Sequence, residues 1–308
     1  MIPRTVGVFS TGETFGDAIY KIVFCRALRA TYPGARITWF VTGTTLYASS
    51  LSSVAAPLLD DVRERCGIGA SPREFLARLP EGIGPFDLLI DTQSLAWRTA
   101  AVWRVTHGRF VSAIRPPQKP AGPHVLDRLF ALIGDPPRDL APLPVPDAIR
   151  AAAEAALPGD APRLAIAPGA GGVKKIWPLD RFIAVAKTRS ETPVFLLGPA
   201  EAPLRAAIAD ALPQAIFPLE HPAIAASGGP QPLATIALAA RCRIGLSNDS
   251  GAGHMIAASG TPLVSLFGPS SATKFRPIGP RVTVLRAQDH GGADMALLPV
   301  AAVLAALG

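Results

Sequence analysis

The chain has 308 residues, a length typical of about two domains. Hydrophobic residues make up 49% of it and charged residues 17%, a composition that predicts folded domains with sizeable cores and excludes a disordered chain. The net charge of +7 is divided between residues 1–140 (16 basic minus 12 acidic, +4) and residues 141–308 (14 minus 11, +3), which excludes a basic nucleic-acid-binding tail and suits anionic small molecules or an anionic membrane surface.

Short apolar segments alternate with helical patterns along the whole chain. The predicted strands are Thr5–Ser10, Ala35–Val41, Phe86–Asp91, Arg109–Ile114, Leu164–Ala167, Val194–Leu197, Arg243–Leu246, Leu263–Phe267 and Val282–Leu285. The predicted helices include Asp17–Thr31, His124–Ile133, Leu179–Arg189, Glu201–Ala211, Gly251–Ser259 and Val300–Leu307. This alternation predicts an α/β protein whose parallel sheets are covered by helices on both faces.

A proline-rich segment, GDPPRDLAPLPVPD at residues 134–147, separates two such series and predicts a stiff linker. We therefore expect two Rossmann-like domains, residues 1–140 and 141–308. The last helix either stays with the second domain or packs back onto the first. Ligands of such sheets bind beyond the carboxyl ends of the strands, so functional residues are expected in the loops that follow strands.

The cysteines and apolar segments predict a cytoplasmic protein. Cys25, Cys66 and Cys242 lie far apart without CxxC spacing, which argues against a zinc ribbon or redox pair and fits a reducing compartment. Acidic residues at 13 and 17 interrupt the region where a signal peptide would be apolar. Residues 222–240 and 250–273 lack acidic and basic residues, but glycine and proline break both, which predicts buried α/β segments and not membrane spans.

The loop after the first strand, FSTGETFGDAIYK, turns into a helix through Gly12 and Gly16, and Asp17 opens that helix. Asp17 either interacts favourably with the positive end of the helix, worth about 0.3–1 kcal/mol, or acts as a general base in an interdomain cleft. Gly7, Gly12 and Gly16 do not fit GxGxxG. A nicotinamide-dependent dehydrogenase is therefore disfavoured.

The loop after the fifth strand, AIAPGAGGVKKIWPLDRF, combines a glycine-rich turn that includes Gly171 with Lys174 and Lys175. Trp177 and Pro178 then start a helix, a position that suits proline. Walker A spacing is absent. The loop is either a flexible surface segment with solvated lysines or a diphosphate site in which Lys175 acts as a point charge.

The segment SNDSGAGHMIAASG, residues 247–260, places Asp249, Ser250, Gly251, Gly253 and His254 at the start of one helix. Uncovered N–H groups at a helix start bind anions, and glycines let a bulky anion approach the backbone. In the alternative interpretation, Asp249 or Ser250 only caps the helix and His254 lies on a solvated face. Five special residues within six positions favour an anion site.

Residues 92–126 contain basic and aromatic residues and no acidic one. The residues concerned are Arg98, Arg104, Arg109, Arg115, Lys119, Trp97 and Trp103. The stretch either contacts an anionic acceptor or lipid headgroups, or forms a solvated helix face with partly buried tryptophans.

Five segments in chain order resemble glycosyltransferase family 9, the bacterial heptosyltransferases that build the lipopolysaccharide inner core. These are GETFGDAIY, RALRATYPGARITWF, IAPGAGGVKKIWPLDRF, VFLLGPAEAPL and SNDSGAGHMIAASGTPLVSLFGP, and together they span most of the chain. The resemblance implies a GT-B fold, with two facing Rossmann-like domains and a ligand cleft between them. The first domain would take the acceptor and the second the nucleotide-sugar, typically ADP-heptose.

The resemblance also implies roles for individual residues. Asp17 matches the catalytic base, and Lys175, which matches the lysine before Trp-Pro, would be the second catalytic residue. Gly171, Lys174, Asp249, Ser250, Gly251 and His254 would bind the donor and its phosphates, and Glu13, Thr14, Arg98 and Arg104 the acceptor. Glu13 stands where relatives often carry a small hydroxyl residue, and Val23 where they often carry proline.

The expected reaction is inverting, metal-independent transfer of a sugar, heptose by resemblance, from a nucleotide-sugar to a lipopolysaccharide-core-type acceptor. Consistent with metal independence, no DxD triplet occurs in the chain. The alternatives are a nucleotide-sugar epimerase of the same fold and a silent sugar-nucleotide-binding protein. Expected partners are the donor and a lipid-linked or oligosaccharide acceptor, with peripheral contact at the inner membrane face and no nucleic acid.

Overall fold

The computed structural model describes residues 2–72, 79, 81–114 and 124–308. The chain divides into two compact units, Met1–Asp139 and Leu140–Gly308. Among the described residues, every helix is too short or too polar to cross a membrane.

A parallel five-stranded sheet of order β3-β2-β1-β4-β5 forms the centre of the first unit. Its strands are β1 (Thr5–Ser10), β2 (Arg36–Val41), β3 (Asp61–Arg63), β4 (Phe86–Asp91) and β5 (His107–Ser112). Val8 of β1 pairs with Trp39 on one side and Ile90 on the other, so β1 is the central strand. A Cβ on Gly7 would meet the Phe86 ring at 2.5 Å, which explains a glycine in this buried strand.

Helices cover the described part of this sheet. They are α1 (Phe15–Thr31), α2 (Ser52–Ala55), α3 (Ala96–Trp103) and α4 (Val125–Ala131). Helix α1 buries most of its central residues, and Phe24 packs edge-to-face on Phe130 of α4. On the sheet, the Phe40 and Phe86 rings stack 5.8 Å apart. This apolar packing fixes the start of α1 at the carboxyl end of β1.

The second unit is built on a parallel sheet of order β10-β9-β8-β6-β7. Its strands are β6 (Arg163–Ala167), β7 (Thr192–Phe195), β8 (Ile244–Asn248), β9 (Leu263–Phe267) and β10 (Val282–Arg286). Its helices are α5 (Asp147–Ala156), α6 (Leu179–Thr188), α7 (Arg205–Ala211), α8 (Pro222–Ala226), α9 (Gln231–Ala239), α10 (Gly251–Ala258), α11 (Ala272–Phe275) and α12 (Val300–Leu307). Val303 and Leu307 of α12 belong to the core of this unit, together with Trp177 and Phe182.

Both sheets contain a topological switch point. In the first unit, β1 leads through α1 to β2 on one side, while β4 lies on its other side. In the second unit, β6 leads through α6 to β7, while β8 lies on the opposite side of β6. Ligands of open α/β sheets bind in the crevice beyond the carboxyl ends of such strand pairs. The β1/β4 and β6/β8 crevices are therefore where binding residues are expected.

The prediction of an α/β fold with two parallel sheets is confirmed. All nine predicted strands exist, although the strand predicted at Arg109–Ile114 runs from His107 to Ser112, because Phe86 at the start of β4 pairs with His107. The sequence did not predict β3, whose three residues carry no apolar pattern and whose pairing partner is β2. The helix expected to begin at Glu201 begins at Arg205, after a 3₁₀ turn at Ala202–Leu204.

Candidate functional site

The loop that follows β1 places Asp17 at the carboxyl edge of the first sheet. Gly12 has φ +110°, and a Cβ there would meet the Thr44 carbonyl oxygen at 2.7 Å, so this turn requires glycine. Thr14 caps α1, because its hydroxyl accepts a hydrogen bond from the Asp17 main-chain N–H at 3.5 Å. The cap fixes Asp17 in the first turn of α1, where the helix end favours a negative charge.

Tyr20 holds the Asp17 carboxylate from within the same helix. Its hydroxyl donates a hydrogen bond to Asp17 Oδ1. Tyr20 is 5% exposed, and its ring packs edge-to-face on His124 of α4. Burial and the Asp17 carboxylate raise the pKa of the Tyr20 hydroxyl well above its usual value, so it remains a donor. A carboxylate held at one oxygen can take up a proton at the other.

Glu13 points into the first unit. Its side chain is 0% exposed, with Oε1 3.6 Å from Lys21 Nζ, and its Oε2 accepts a hydrogen bond of 2.5 Å from the Thr45 hydroxyl. Lys21 in turn donates to Ser10 Oγ at 3.1 Å and lies over the Trp39 ring. In this arrangement Glu13 anchors the loop that carries Asp17. Its direct contact with an acceptor remains a prediction, as does that of the exposed Thr14.

The basic and aromatic stretch lies mostly on α3 and β5. Arg98 donates from Nε to the Gly69 carbonyl at 3.1 Å and lies over the Trp97 ring, so this cation is already held by the protein. Trp103 is 60% exposed, and Arg104 follows it at the end of the helix. Arg115 and Lys119 lie outside the described residues.

In the second unit, the β6/β8 crevice is crossed by an ion pair. Lys175 Nζ donates to Asp249 Oδ2 at 2.7 Å, and the Ser270 hydroxyl donates to the same oxygen at 2.5 Å. The Asp249 side chain is 8% exposed and that of Lys175 37%, so the carboxylate is buried while the lysine side chain is partly open to solvent. The two residues, 74 positions apart in the chain, meet at the start of α10.

Helix α10 begins directly beside this pair. Ser250 is its N-cap, and its side chain accepts from the Gly253 N–H at 3.3 Å. Gly253 packs on β8, where an added Cβ would meet Ser247 Oγ at 2.5 Å. His254 is buried at 7% exposure in the first turn, so the alternative of a solvated histidine is wrong. The remaining first-turn N–H groups and Lys175 together form a positive end suited to an anion.

A second set of bonds fixes the loop that carries Lys175. Asn248 is 0% exposed; its Oδ1 accepts from the Trp177 N–H at 3.1 Å, and its Nδ2 donates to the Pro168 carbonyl at 2.6 Å. The Trp177 indole is buried and donates to the Leu298 carbonyl at 3.0 Å. Both ends of the loop are thus bound. Between them, Gly171 has open space around it and Lys174 is exposed.

The structure brings several predicted residues together and adds others that the sequence did not predict. Lys175, Asp249, Ser250 and Gly251 lie at one edge of the second sheet, whereas Asp17 and Thr14 lie at the edge of the first. The added residues are Asn248, Ser270, Glu201, Thr11, Thr92 and Gln93. Glu201 follows β7 and lies so close to the turn after β6 that a Cβ on Gly169 would meet its Oε1 at 2.1 Å. Polar residues directly after the strands, such as the TQS after β4, were the available signal.

Metal ligands are not clustered in the described part of the chain, where no group of three or more His, Cys, Asp or Glu side chains is arranged to hold an ion.

Comparison with known proteins relates this arrangement to one family. Residues 86–296, more than half of the chain, match the model of glycosyltransferase family 9 (heptosyltransferase). Lipooligosaccharide heptosyltransferase 2 of Haemophilus influenzae is 31% identical over 137 residues, which make up 43% of this chain and 39% of that protein. The matched region thus spans well under half the length of this relative.

Solved structures share the fold over nearly the whole chain. A family 9 glycosyltransferase from Veillonella parvula has a TM-score of 0.72 at 18% identity, covering 98% of this chain and 95% of its own. The E. coli heptosyltransferase WaaC with ADP (TM-score 0.65, 18% identity) covers 98% of both chains. E. coli ADP-heptose lipopolysaccharide heptosyltransferase II (TM-score 0.65, 21% identity) covers 99% of this chain and 97% of its own.

At these identities the likeness shows the fold, which is of the GT-B class with two Rossmann-like units. The family is shown independently by the match over residues 86–296. The chain therefore belongs to glycosyltransferase family 9, the heptosyltransferase family.

Proposed function

We propose that this protein is an inverting glycosyltransferase that moves heptose from ADP-heptose to a lipopolysaccharide-core acceptor without a metal ion. The observation that carries the proposal is the Lys175–Asp249 pair beside the start of α10, at the switch point of the second sheet. A cation next to uncovered helix N–H groups suits a nucleoside diphosphate.

The donor is bound by the second unit, Leu140–Gly308. As the glycosidic bond breaks, the leaving diphosphate gains negative charge, which Lys175 and the N–H groups near Ser250 and Gly251 stabilise. Gly171, Lys174 and His254 complete the donor site. Asp249 shares its Oδ2 between Lys175 and Ser270, and its remaining oxygen accepts a hydroxyl of the donor sugar.

The acceptor is bound by the first unit, Met1–Asp139, with Asp17 as the general base. Asp17 removes the proton of the acceptor hydroxyl as that oxygen attacks the anomeric carbon, and inversion follows from this single displacement. A positioned base contributes about 10²–10⁴-fold to the rate. The fixed Asp17–Tyr20 hydrogen bond supports this role, because it orients the carboxylate before substrate binds.

Peripheral contact at the inner membrane face belongs to the same proposal. Trp103 is exposed, and Arg98 and Arg104 lie in the same stretch of the chain, which has no acidic residue between 92 and 114. Tryptophan at the headgroup level and arginine near anionic lipid are the usual elements of interfacial binding. The same arginines attract an anionic, lipid-linked acceptor.

A transfer assay with ADP-, UDP- and GDP-heptose tests the reaction. We expect heptose transfer from ADP-heptose only when a heptose-deficient lipopolysaccharide core is present, with an inverted anomeric centre and full activity in EDTA. Consumption of the donor without acceptor would instead identify an epimerase. Binding of ADP-heptose, read as a rise in unfolding temperature, without any turnover would identify a silent binding protein.

A further inference from the structure

A polar network crosses the β1/β4 crevice and has no part in the donor site. The Thr11 hydroxyl, just after β1, donates to Gln93 Oε1 at 3.3 Å. Gln93 Nε2 donates to the Thr92 hydroxyl at 3.2 Å, and the Gln93 main-chain N–H donates to Asp91 Oδ1 at 2.9 Å. The side-chain amide of Gln93 is therefore held in one orientation at the switch point of the first sheet.

Asp91, the last residue of β4, holds this network in place through its carboxylate. It is 0% exposed and accepts further hydrogen bonds from Thr99 Oγ1 at 2.6 Å and Ser112 Oγ at 2.8 Å. Burial raises the pKa of Asp91. Asp91 of β4 thus ties α3 and β5 to the residue whose backbone it fixes, Gln93.

The stability of the sheet does not explain why the side-chain amide of Gln93 is held across the crevice. Strands β1 and β4 are already paired from Val6 and Leu88 to Phe9 and Asp91, so a bond beyond their ends adds little to the sheet. A glutamine side chain has two N–H donors and two acceptor lone pairs. Within the described residues, one donor and one acceptor of Gln93 remain after the bonds to Thr11 and Thr92, and the side chain is half-buried.

We propose that the Gln93 amide, oriented by Thr11 and Thr92, binds two neighbouring hydroxyls of the acceptor sugar. This inference rests on the proposed transfer function and extends it to acceptor selection. A planar amide presents a donor and an acceptor side by side, which matches a vicinal diol, since each hydroxyl both donates and accepts. The short loop that begins with Thr11 leads into α1, which carries Asp17 in its first turn, so the proposed sugar site and the proposed base both lie at the carboxyl edge of the first sheet.

The test compares wild type with Gln93→Ala and with Gln93→Met, which keeps the side-chain volume without polar atoms. The probe is a synthetic, lipid-free inner-core oligosaccharide, together with analogues that each lack one hydroxyl beside the acceptor hydroxyl. We expect both variants to bind the parent oligosaccharide about tenfold more weakly by calorimetry. ADP affinity stays at the wild-type level, and Gln288→Ala, a glutamine of the second unit, serves as the matched control.

The analogues separate direct contact from indirect disturbance. Wild type should lose about tenfold in affinity for an analogue that lacks either of the two neighbouring hydroxyls, whereas the Gln93 variants bind parent and analogues equally, because the amide partner of those hydroxyls is gone. The assignment would be overturned if the loss from the Gln93 substitution and the loss from the missing hydroxyl were additive. It would also be overturned if the Gln93 variants bound the parent oligosaccharide as tightly as wild type. Failure of the wild-type protein to bind the oligosaccharide would overturn it as well. If Asp17→Ala leaves transfer intact while the Gln93 variants lose binding, the base is wrong and the sugar subsite stands.

Discussion

The two switch points of the molecule carry opposite chemistry on the same architecture. At β1/β4, neutral hydroxyl and amide groups cross the crevice, and Glu13 is buried against Lys21. At β6/β8, the crossing is made by Lys175 and Asp249, with the lysine side chain partly open to solvent. Since both sheets are parallel and five-stranded, the difference lies in the loops alone. The neutral crevice suits a sugar hydroxyl, and the charged one suits a diphosphate.

Replacement of Asp17 by alanine should have the largest effect and separates the two crevices. We expect kcat to fall by about 10² or more while ADP affinity stays near wild type, because the base acts only in the transition state. Steady-state kinetics and calorimetry measure the two quantities. Turnover within a few-fold of wild type would show that Asp17 is not the general base.

Lys175→Ala should weaken ADP binding, which Asp17→Ala leaves intact. Loss of a charged hydrogen-bond donor is expected to weaken ADP binding by about 10–100-fold and to lower the transfer rate as well. Lys187→Ala, an exposed lysine on α6, is the matched control. Calorimetry with ADP measures the change, and equal affinities for all three proteins would contradict a charged donor crevice.

The hydrogen bonds by which Asn248 holds the loop of residues 168–177 are tested by Asn248→Ala. This change leaves the Trp177 N–H and the Pro168 carbonyl without their partner, which should lower the free energy of unfolding by about 1–3 kcal/mol. Ser265→Ala is the control, because its buried hydroxyl has no hydrogen-bond partner within the described residues. Urea unfolding followed by tryptophan fluorescence compares the two variants. Equal midpoints would argue against a stabilising role of the Asn248 hydrogen bonds.

Tyr20→Phe should give the smallest effect, a loss of a few-fold in kcat/KM, and it sharpens the account of the neutral crevice. Without the phenol, the Asp17 carboxylate loses the hydrogen bond that orients it before substrate binds, so kcat/KM for transfer falls while ADP affinity stays at the wild-type level. Steady-state kinetics and calorimetry measure the two quantities.

Tyr47→Phe is the control for this effect. The Tyr47 hydroxyl is buried in the same unit and donates to the Ala18 carbonyl at 2.8 Å. Its loss is expected to lower the unfolding temperature and to leave kcat/KM near the wild-type value. A kcat/KM of Tyr20→Phe equal to that of wild type would show that the phenol does not orient the base.

The sequence predicted most strands of the two sheets but fewer of the side-chain contacts at the edges of the sheets. Buried apolar runs such as those of β1 and β9 are visible locally, and so were found with their bounds. The short polar β3 exists only because β2 pairs with it. Local patterns do not tell which strands become neighbours.

The same limit applies to the candidate site. Lys175 was predicted as a catalytic residue and Asp249 as a donor-binding residue, yet their ion pair depends on β6 lying next to β8. Gln93 and Thr11 are neighbours for the same reason, across β1 and β4. The burial of Glu13 was unpredictable because its partners come from α1 and from the segment after β2.

The indole of Trp177 has a consequence for dynamics. By donating to the Leu298 carbonyl, it joins residues 168–177 to the segment that leads into α12, while Asn248 joins them to β8. Elements tied in this way open as one cooperative unit. Backbone amides of residues 168–177 and of the last helix are then expected to exchange with deuterated solvent at similar rates, and bound nucleotide should slow both.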